Sequence, residues 1–403
     1  MFAQLRFVAA VMLSGVAIMT AGCGPSPVAP STPHPTAAPK TPTAVPSPSV
    51  AAIPPGPYGV VVTNAPRQGA SYDILLIDLQ GQVVTRITAK LPLLKANETI
   101  ALPLVSASND LVYYLDGDTD IRSLAPSGAT ALVKSIAAGS RSILTFAVSS
   151  DDQRIAVALI NQASDATKDN SRGYVEDLAD AGNHVDLFSN TSVDAIRWPS
   201  GWHGSDIVDA VGNQCGGPYG SANSGVCAGS YHVINSATGA RRATVCEGPA
   251  TQPPNVNQNT NPSGLPVAGG VACVKTEYYY GSSSGTPPEG DILAVDWSGH
   301  VTTLVTADKT GQLPFNGCFL APGGAQMACS DNASQALTLV AHGTPHSLGR
   351  RYTMLGWVDP THLLVDIDSK TLAVLTTSSG VAVNLGLVDA DKVVMAGTAP
   401  GAL

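Results

Sequence analysis

GDILAVDWSGHVTTLVTAD, residues 290–308, reads as strand, turn and strand. Ile292, Ala294, Val295 and Val301 give a β-type run, Trp297-Ser298-Gly299-His300 supplies the turn, and Val301–Val305 returns. The same pattern is written again as YDILLIDLQGQVVTRIT (72–88), DIRSLAPSGATALV (120–133), YHVINSATGARRATV (231–245), ALTLVAHGTPHSL (336–348) and LAVLTTSSGVAVNL (372–385). A second hairpin usually precedes it. Copies of that one are FAVSSDDQRIAVAL (146–159), AIRWPSGWHGSDIVDAV (195–211), GCFLAPGGAQMACS (317–330) and MLGWVDPTHLLVDI (354–367).

Pairing the two hairpins gives units 58–88, 100–134, 143–190, 192–246, 256–306, 316–349 and 353–386, a mean period of about 47 residues. Four strands at that period predict an all-β chain, a β-propeller of four-stranded antiparallel blades. Two stacked β-sandwiches are the rival, and sandwiches do not repeat at this period. Seven blades fit. Six or eight stay open, because 58–88 and 256–306 are the least regular units. One more strand-like piece, Leu387–Gly397, is expected to close the ring against the first blade. The turn Ser149-Ser150-Asp151-Asp152-Gln153-Arg154-Ile155-Ala156 resembles the TolB-type, WD40-like propeller repeat. The resemblance implies a fold and an extracytoplasmic setting, and it carries no active site with it.

The chain opens with an address. Arg6 precedes an apolar stretch from Phe7 to about Thr20, and Ala21-Gly22 precede Cys23, the parts of a secretory signal. The stretch is short for a membrane span, which takes about 20 residues. Thr20-Ala21-Gly22-Cys23 resembles the bacterial lipobox, which implies removal of 1–22 and lipid on Cys23. Residues 24–57, rich in Pro, Ser, Thr and Ala, cannot build a core and read as a tether. At ~3.1 Å per residue such a tether reaches up to ~100 Å. The expected organisation is signal peptide 1–22, lipidated Cys23 with tether to 57, and propeller 58–403. That places the domain outside the cytoplasm on a membrane anchor.

Composition agrees with this picture. Of the residues 44% are apolar, 13% are charged, and 40 are Gly and 30 Pro. The net charge of −9 is spread thinly with no basic run, which disfavours nucleic acid as a partner. Seven Cys also suit export. Setting Cys23 aside leaves Cys215, Cys227, Cys246, Cys273, Cys318 and Cys329. Cys318 and Cys329 lie symmetrically about Gly323-Gly324, facing across one hairpin. Cys215 and Cys227 bracket a Gly/Ser/Asn loop, which leaves Cys246 with Cys273 between neighbouring blades. Zinc is the rival reading, but no C-x-x-C pair or adjacent His is present.

Catalytic motifs are thin. Gly281-Ser282-Ser283-Ser284-Gly285 matches G-x-S-x-G, but Pro287-Pro288 deny the helix that a nucleophile elbow needs. Asp116, Asp118 and Asp120 read as a turn rather than a calcium loop. His342 and His346 flank a Gly-Thr-Pro turn. Asp366 and Asp368 alternate along a predicted strand and would share one face. Asp206 and Asp209 complete the carboxylates that a central enzyme site could use. No matching His set accompanies them, and the sequence names no cofactor.

Insertions stand out more. Asn161–Gly182, Gly212–Gly229 and Lys275–Glu289 lengthen the second-to-third connections of three consecutive units, and Glu247–Leu265 reaches the same side. They hold Tyr219 and Tyr278-Tyr279-Tyr280 amid Gly and Ser, the chemistry of adaptable binding loops. The reading is therefore a non-enzymatic binding or scaffolding module with a protein or cell-envelope partner. The alternatives are an enzyme of lyase, lactonase or quinone-dependent dehydrogenase type in the central pocket, or a carbohydrate- or wall-binding module.

Overall fold

The computed structural model describes residues 56–63, 71–92, 103–139, 142–161, 170–190, 196–214, 226–246, 257–278, 291–306, 315–331, 334–341, 343–368, 371–387 and 393–403. The signal, Cys23 and the tether expected from the sequence lie outside them, save for Gly56 and Pro57.

The chain begins with β1 (Tyr58–Thr63), β2 (Ser71–Ile77) and β3 (Val83–Lys90). Blade 2 is β4 (Val105–Ala107), β5 (Val112–Asp116), β6 (Asp120–Leu124) and β7 (Thr130–Ser135). Blade 3 is β8 (Ser142–Val148), β9 (Arg154–Asn161), β10 (Asn170–Asp177) and β11 (Val185–Asn190). Blade 4 is β12 (Ile196–His203), β13 (Asp206–Gln214), β14 (Val226–Asn235) and β15 (Arg241–Val245). Blade 5 is β16 (Asn257–Val267), β17 (Gly270–Tyr278), β18 (Ile292–Val295) and β19 (Val301–Val305). Blade 6 is β20 (Phe315–Leu320), β21 (Gln326–Asp331), β22 (Leu337–Ala341) and β23 (Thr344–Ser347). Blade 7 is β24 (Thr353–Asp359), β25 (His362–Asp366), β26 (Thr371–Thr376) and β27 (Val381–Leu387). Finally β28 (Val393–Ala399) pairs antiparallel with β1, so blade 1 is ordered β28-β1-β2-β3.

Seven antiparallel four-stranded sheets make a seven-bladed β-propeller. First strands of neighbouring blades touch along the ring, with β16 meeting β14 at the seam of blades 4 and 5, which makes the first strands innermost. The irregularity of unit 58–88 has a simple cause: it is three strands awaiting a fourth from the far end of the chain. Unit 256–306 is obscured differently. Its innermost strand, β16, reads NQNTNPSGLPV, with Pro262 opposite Cys273. An innermost strand is an edge strand, and an edge tolerates a missing N–H.

The core is divided in the same way. Each of the seven seams between blades holds its own apolar cluster. Tyr72, Ile74 and Val112 fill the seam of blades 1 and 2. Phe146, Ile155 and Tyr113 fill the next. Trp202, Ile207 and Ala147 lie between blades 3 and 4. Trp198, Val233 and Trp297 lie between 4 and 5. The remaining three seams repeat the arrangement. Two tryptophans stitch innermost strands together. Trp202 Nε1 donates to Ala147 O at 3.0 Å, and Trp357 Nε1 donates to Phe319 O at 2.8 Å.

The repeated outer turn owes its shape to one side chain. Asp296 Oδ1 accepts from the amides of Ser298 and His300, and Gly299 takes φ +87°. Asp78 and Gly81 copy this, as do Asn235 and Gly239. An Asx side chain mimics the turn backbone, and glycine supplies the left-handed residue that closes it. In the inner hairpin, Ser149 Oγ plays the organising part, accepting from the amides of Gln153 and Arg154. This gives the S-x-D motif a mechanical role.

Candidate functional site

Strand alternation sorts the connections onto two faces. First-to-second and third-to-fourth turns share one face, called here the turn face. Second-to-third connections and links between blades share the other. On that second face two neighbouring blades project. β13 and β14 run 9 and 10 residues, and β16 and β17 run 11 and 9, against 8 each for β9 and β10 and 5 each for β5 and β6. Pairing continues out to Gln214↔Val226 in blade 4 and Asn257↔Tyr278 in blade 5. Residues 215–225 and 279–291 join the ends of these strands. The arrangement is a hairpin face.

The two projecting blades are bolted together at their root. Cys246 follows β15 and Cys273 lies on β17, both buried, and the two form a disulfide with Cα atoms 5.7 Å apart. Cys246 sits at φ +65°, a backbone region that a non-glycine residue seldom adopts. Beside the bridge, Tyr231 meets Trp297 edge to face at 5.7 Å, and Trp297 Nε1 donates to Val267 O. Cys318 and Cys329, the second expected pair, are also bonded, across β20 and β21.

Between blades 3 and 4 lies a polar seam. Asp209 on β13 is completely buried. Its Oδ2 accepts from Arg197 Nε at 2.7 Å and meets Arg197 Nη2 at 2.5 Å, whereas Oδ1 has no partner. The Arg197 guanidinium stacks 4.0 Å over the Phe188 ring. That ring lies over Gly173, where a Cβ would collide with it. His232 is the cross-strand neighbour of Asp209 and accepts from Arg241 Nη1 at 3.0 Å. Burial pushes the Asp209 carboxyl up to about 6, against the pull of Arg197. Burial, with Arg197 and Arg241 nearby, pushes His232 down to about 4. At neutral pH the seam therefore holds a neutral imidazole beside a buried ion pair. This is a structural strut with one open acceptor, and among the described residues no hydroxyl or thiol is bonded to either group.

The remaining sequence candidates scatter. Asp206 pairs with Arg242 at 3.3 Å on blade 4, while Asp366 belongs to blade 7, so the carboxylates do not converge. Asp366 and Asp368 do not share a strand face as expected. β25 ends at Asp366, and Asp368 turns back so that its amide bonds Asp366 Oδ1 and its carboxylate caps Thr371 N. Asp116 caps Lys90 N and approaches Arg122, and Asp120 accepts from Ser135, as turn residues do. His346 lies on β23. Among the described residues no three His, Cys, Asp or Glu come together as metal ligands would.

Two of the expected insertions are shorter than their sequence suggested. β10 occupies 170–177 within Asn161–Gly182, and β16, which begins at Asn257, takes up the second part of Glu247–Leu265. Both strands are polar, which hid them. Tyr278 is the last residue of β17. Tyr219, Tyr279, Tyr280, Cys215, His342 and the 281–285 motif lie outside the described residues. Cys227 stands opposite Asn213 on β14. The Arg197–Asp209–Phe188 arrangement has no signature in the sequence. A cleft of about 290 Å³ on the turn face is walled by Pro57, Tyr58, Leu111, Pro126 and Pro400, and its lining includes none of the sequence candidates.

No family model matches the sequence, and none of the curated proteins does. Solved structures with a similar course of chain include an oligogalacturonate lyase in complex with manganese. It is 14% identical, with a TM-score of 0.47, over 73% of this chain and 79% of that one. An oligogalacturonate lyase from Vibrio parahaemolyticus is 10% identical, with a TM-score of 0.46, over 81% and 90%. The Pyrococcus horikoshii acylaminoacyl peptidase is 10% identical, with a TM-score of 0.44, over 78% of this chain and 48% of its own. At these values the strand pairing, and not the likeness, carries the fold.

Proposed function

We propose that this chain is an exported, lipid-anchored β-propeller that binds a cell-envelope partner through its hairpin face and performs no chemistry of its own. One observation carries the reading. Blades 4 and 5 lengthen their strands on the same face, and a buried disulfide fixes them to each other directly beneath. A rigid pair of ribbons carrying Tyr-, Ser- and Gly-rich joins suits recognition, since preorganisation spares the ordering cost of binding.

β1 starts at the turn face, because it runs antiparallel to the descending β28. The propeller is therefore entered from the turn face, opposite the hairpins. Two chains of acyl lipid hold firmly, where one does so marginally.

The test is photo-crosslinking in cells of the full chain, with the reactive residue at Asn213 or Glu277 on the hairpin face or at Gly299 or Gly323 on the turn face. A discrete adduct from the first pair alone is expected, together with release into the soluble fraction on Cys23→Ala. Adducts from the turn face only would overturn the binding face. Unchanged membrane retention of Cys23→Ala would overturn the anchor.

A further inference from the structure

After β28 the chain does not stop at blade 1. Gly401 N donates to Ser108 O on blade 2, and the segment goes on to blade 4, where Leu403 N donates to Trp202 O at 2.9 Å. Blades 1 and 4 are not neighbours in the ring, so Pro400–Leu403 crosses the inner mouth of the turn face as a strap. Its last residue sits in a made niche. The Leu403 carbonyl accepts from His203 Nδ1 at 2.7 Å, so both main-chain groups of that residue are read. The Leu403 side chain lies on Gly201, where a Cβ would come within 2.5 Å of Cδ1. A register shift between Pro199 and Gly201 presents that bare backbone to the mouth. At the other end, Gly401 presses on Ala107 so closely that no Cβ fits.

A leucine side chain on a glycine floor, a donor and an acceptor spaced for one extended residue, and a small residue two positions earlier together form a recognition pattern. We propose that the Gly201–Trp202–His203 edge of β12 is an acceptor site for a short extended peptide of the form small-x-Leu, occupied in cis by the chain's own strap. Extended peptides bind exposed strand edges by main-chain bonds, with alternate side chains giving selectivity. An intramolecular occupant enjoys an effective concentration in the millimolar range, so a free peptide competes poorly until the strap is weakened. This site is on the face opposite the hairpins and is independent of the partner proposed for them.

The experiment uses full-length chain and a fluorescently labelled, amidated Ala-Pro-Gly-Ala-Leu peptide, read by anisotropy. Leu403→Asp empties the niche without touching a blade. Saturable binding to Leu403→Asp is expected, with at least tenfold weaker binding to the intact chain. Adding His203→Ala to Leu403→Asp removes one bond and should weaken binding several-fold. Adding Gly201→Val to Leu403→Asp should abolish it. No binding to a Leu403→Asp chain whose melting is unchanged would overturn the site. So would equal binding to the His203→Ala, Leu403→Asp chain, which keeps the test sound where Gly201→Val fails to fold.

Discussion

At the scale of single residues, Asp209 governs how the molecule responds to acid. Its folded carboxyl titrates near 6, whereas an unfolded aspartate does so at about 4. A raised folded value means that the folded state holds the proton more tightly. The resulting stabilisation is complete below about pH 4 and disappears as the pH climbs through about 6. Asp73, Asp296 and Asp359 are held below the usual range despite burial, by hydrogen bonds from Thr88, Ser298 and Thr361 in turn, with Arg86 adding its charge to the first. Their contribution is lost only as pH falls below the carboxylate range, so it does not overlap this window. Melting temperature compared between the native chain and Asp209→Asn from pH 4 to 7 should show the native chain losing ground to the variant as pH rises. Parallel curves would refute the assignment. Arg197→Met should be worse at pH 7.5 than at pH 5. Without the pull of Arg197 the buried carboxyl rises further, so at pH 7.5 the variant must either take up a proton against the solvent or strand an ionised carboxylate, a defect that costs about 3–5 kcal/mol, whereas at pH 5 the carboxyl is already protonated. None of this was readable from the chain. Arg197 is in register with Val211, not Asp209, and reaches its partner diagonally across the strand pair. Contacts of that kind depend on register, which sequence alone leaves open.

At the scale of elements, turns and strands differ in how plainly they are written. The outer hairpins were legible because Asp or Asn, followed by Gly, marks a turn whose hydrogen bonds are local. Cys318 with Cys329 followed from the same hairpin geometry, whereas Cys246 with Cys273 was reached as the pair left over. β10 and β16 were not legible, since Asn-, Ser- and Gly-rich stretches look like loop until a neighbouring strand is there to pair with them. The two disulfides also differ in what they do. One spans 27 residues and joins two blades, and the other spans 11 within one hairpin. Loop closure in the unfolded chain scales with the logarithm of loop length, so the longer bridge should contribute about 0.8 kcal/mol more. Denaturant unfolding of Cys246→Ser with Cys273→Ser, set against Cys318→Ser with Cys329→Ser, checks this. The first pair should lose more stability and also loosen the blade 4–5 seam, seen as faster hydrogen exchange in β15 and β17. Equal losses with unchanged exchange would mean that Tyr231 and Trp297 hold the seam without the bridge.

At the scale of the whole molecule, the ring is held by seven seams in series, and one blade is assembled from both ends of the chain. The period of about 47 residues revealed the repeat, and the spare strand after the last unit revealed the closure. β28 contributes Val393 and Met395 to the seam with blade 7, and Ala399 to the seam with blade 2. Removing it therefore opens two of the seven cores at once and bares the inner edge of β1. A chain ending at residue 387 should lose its cooperative melt, whereas one ending at residue 399 should keep it, because every seam is then complete and only the strap is missing. Thermal unfolding followed by circular dichroism separates the two. A sharp transition in the 387 chain would show that six blades and a three-stranded remnant suffice. Loss of the transition in the 399 chain would show that Pro400–Leu403 closes the ring as a structural member, in which case the niche on β12 serves the fold and not a ligand.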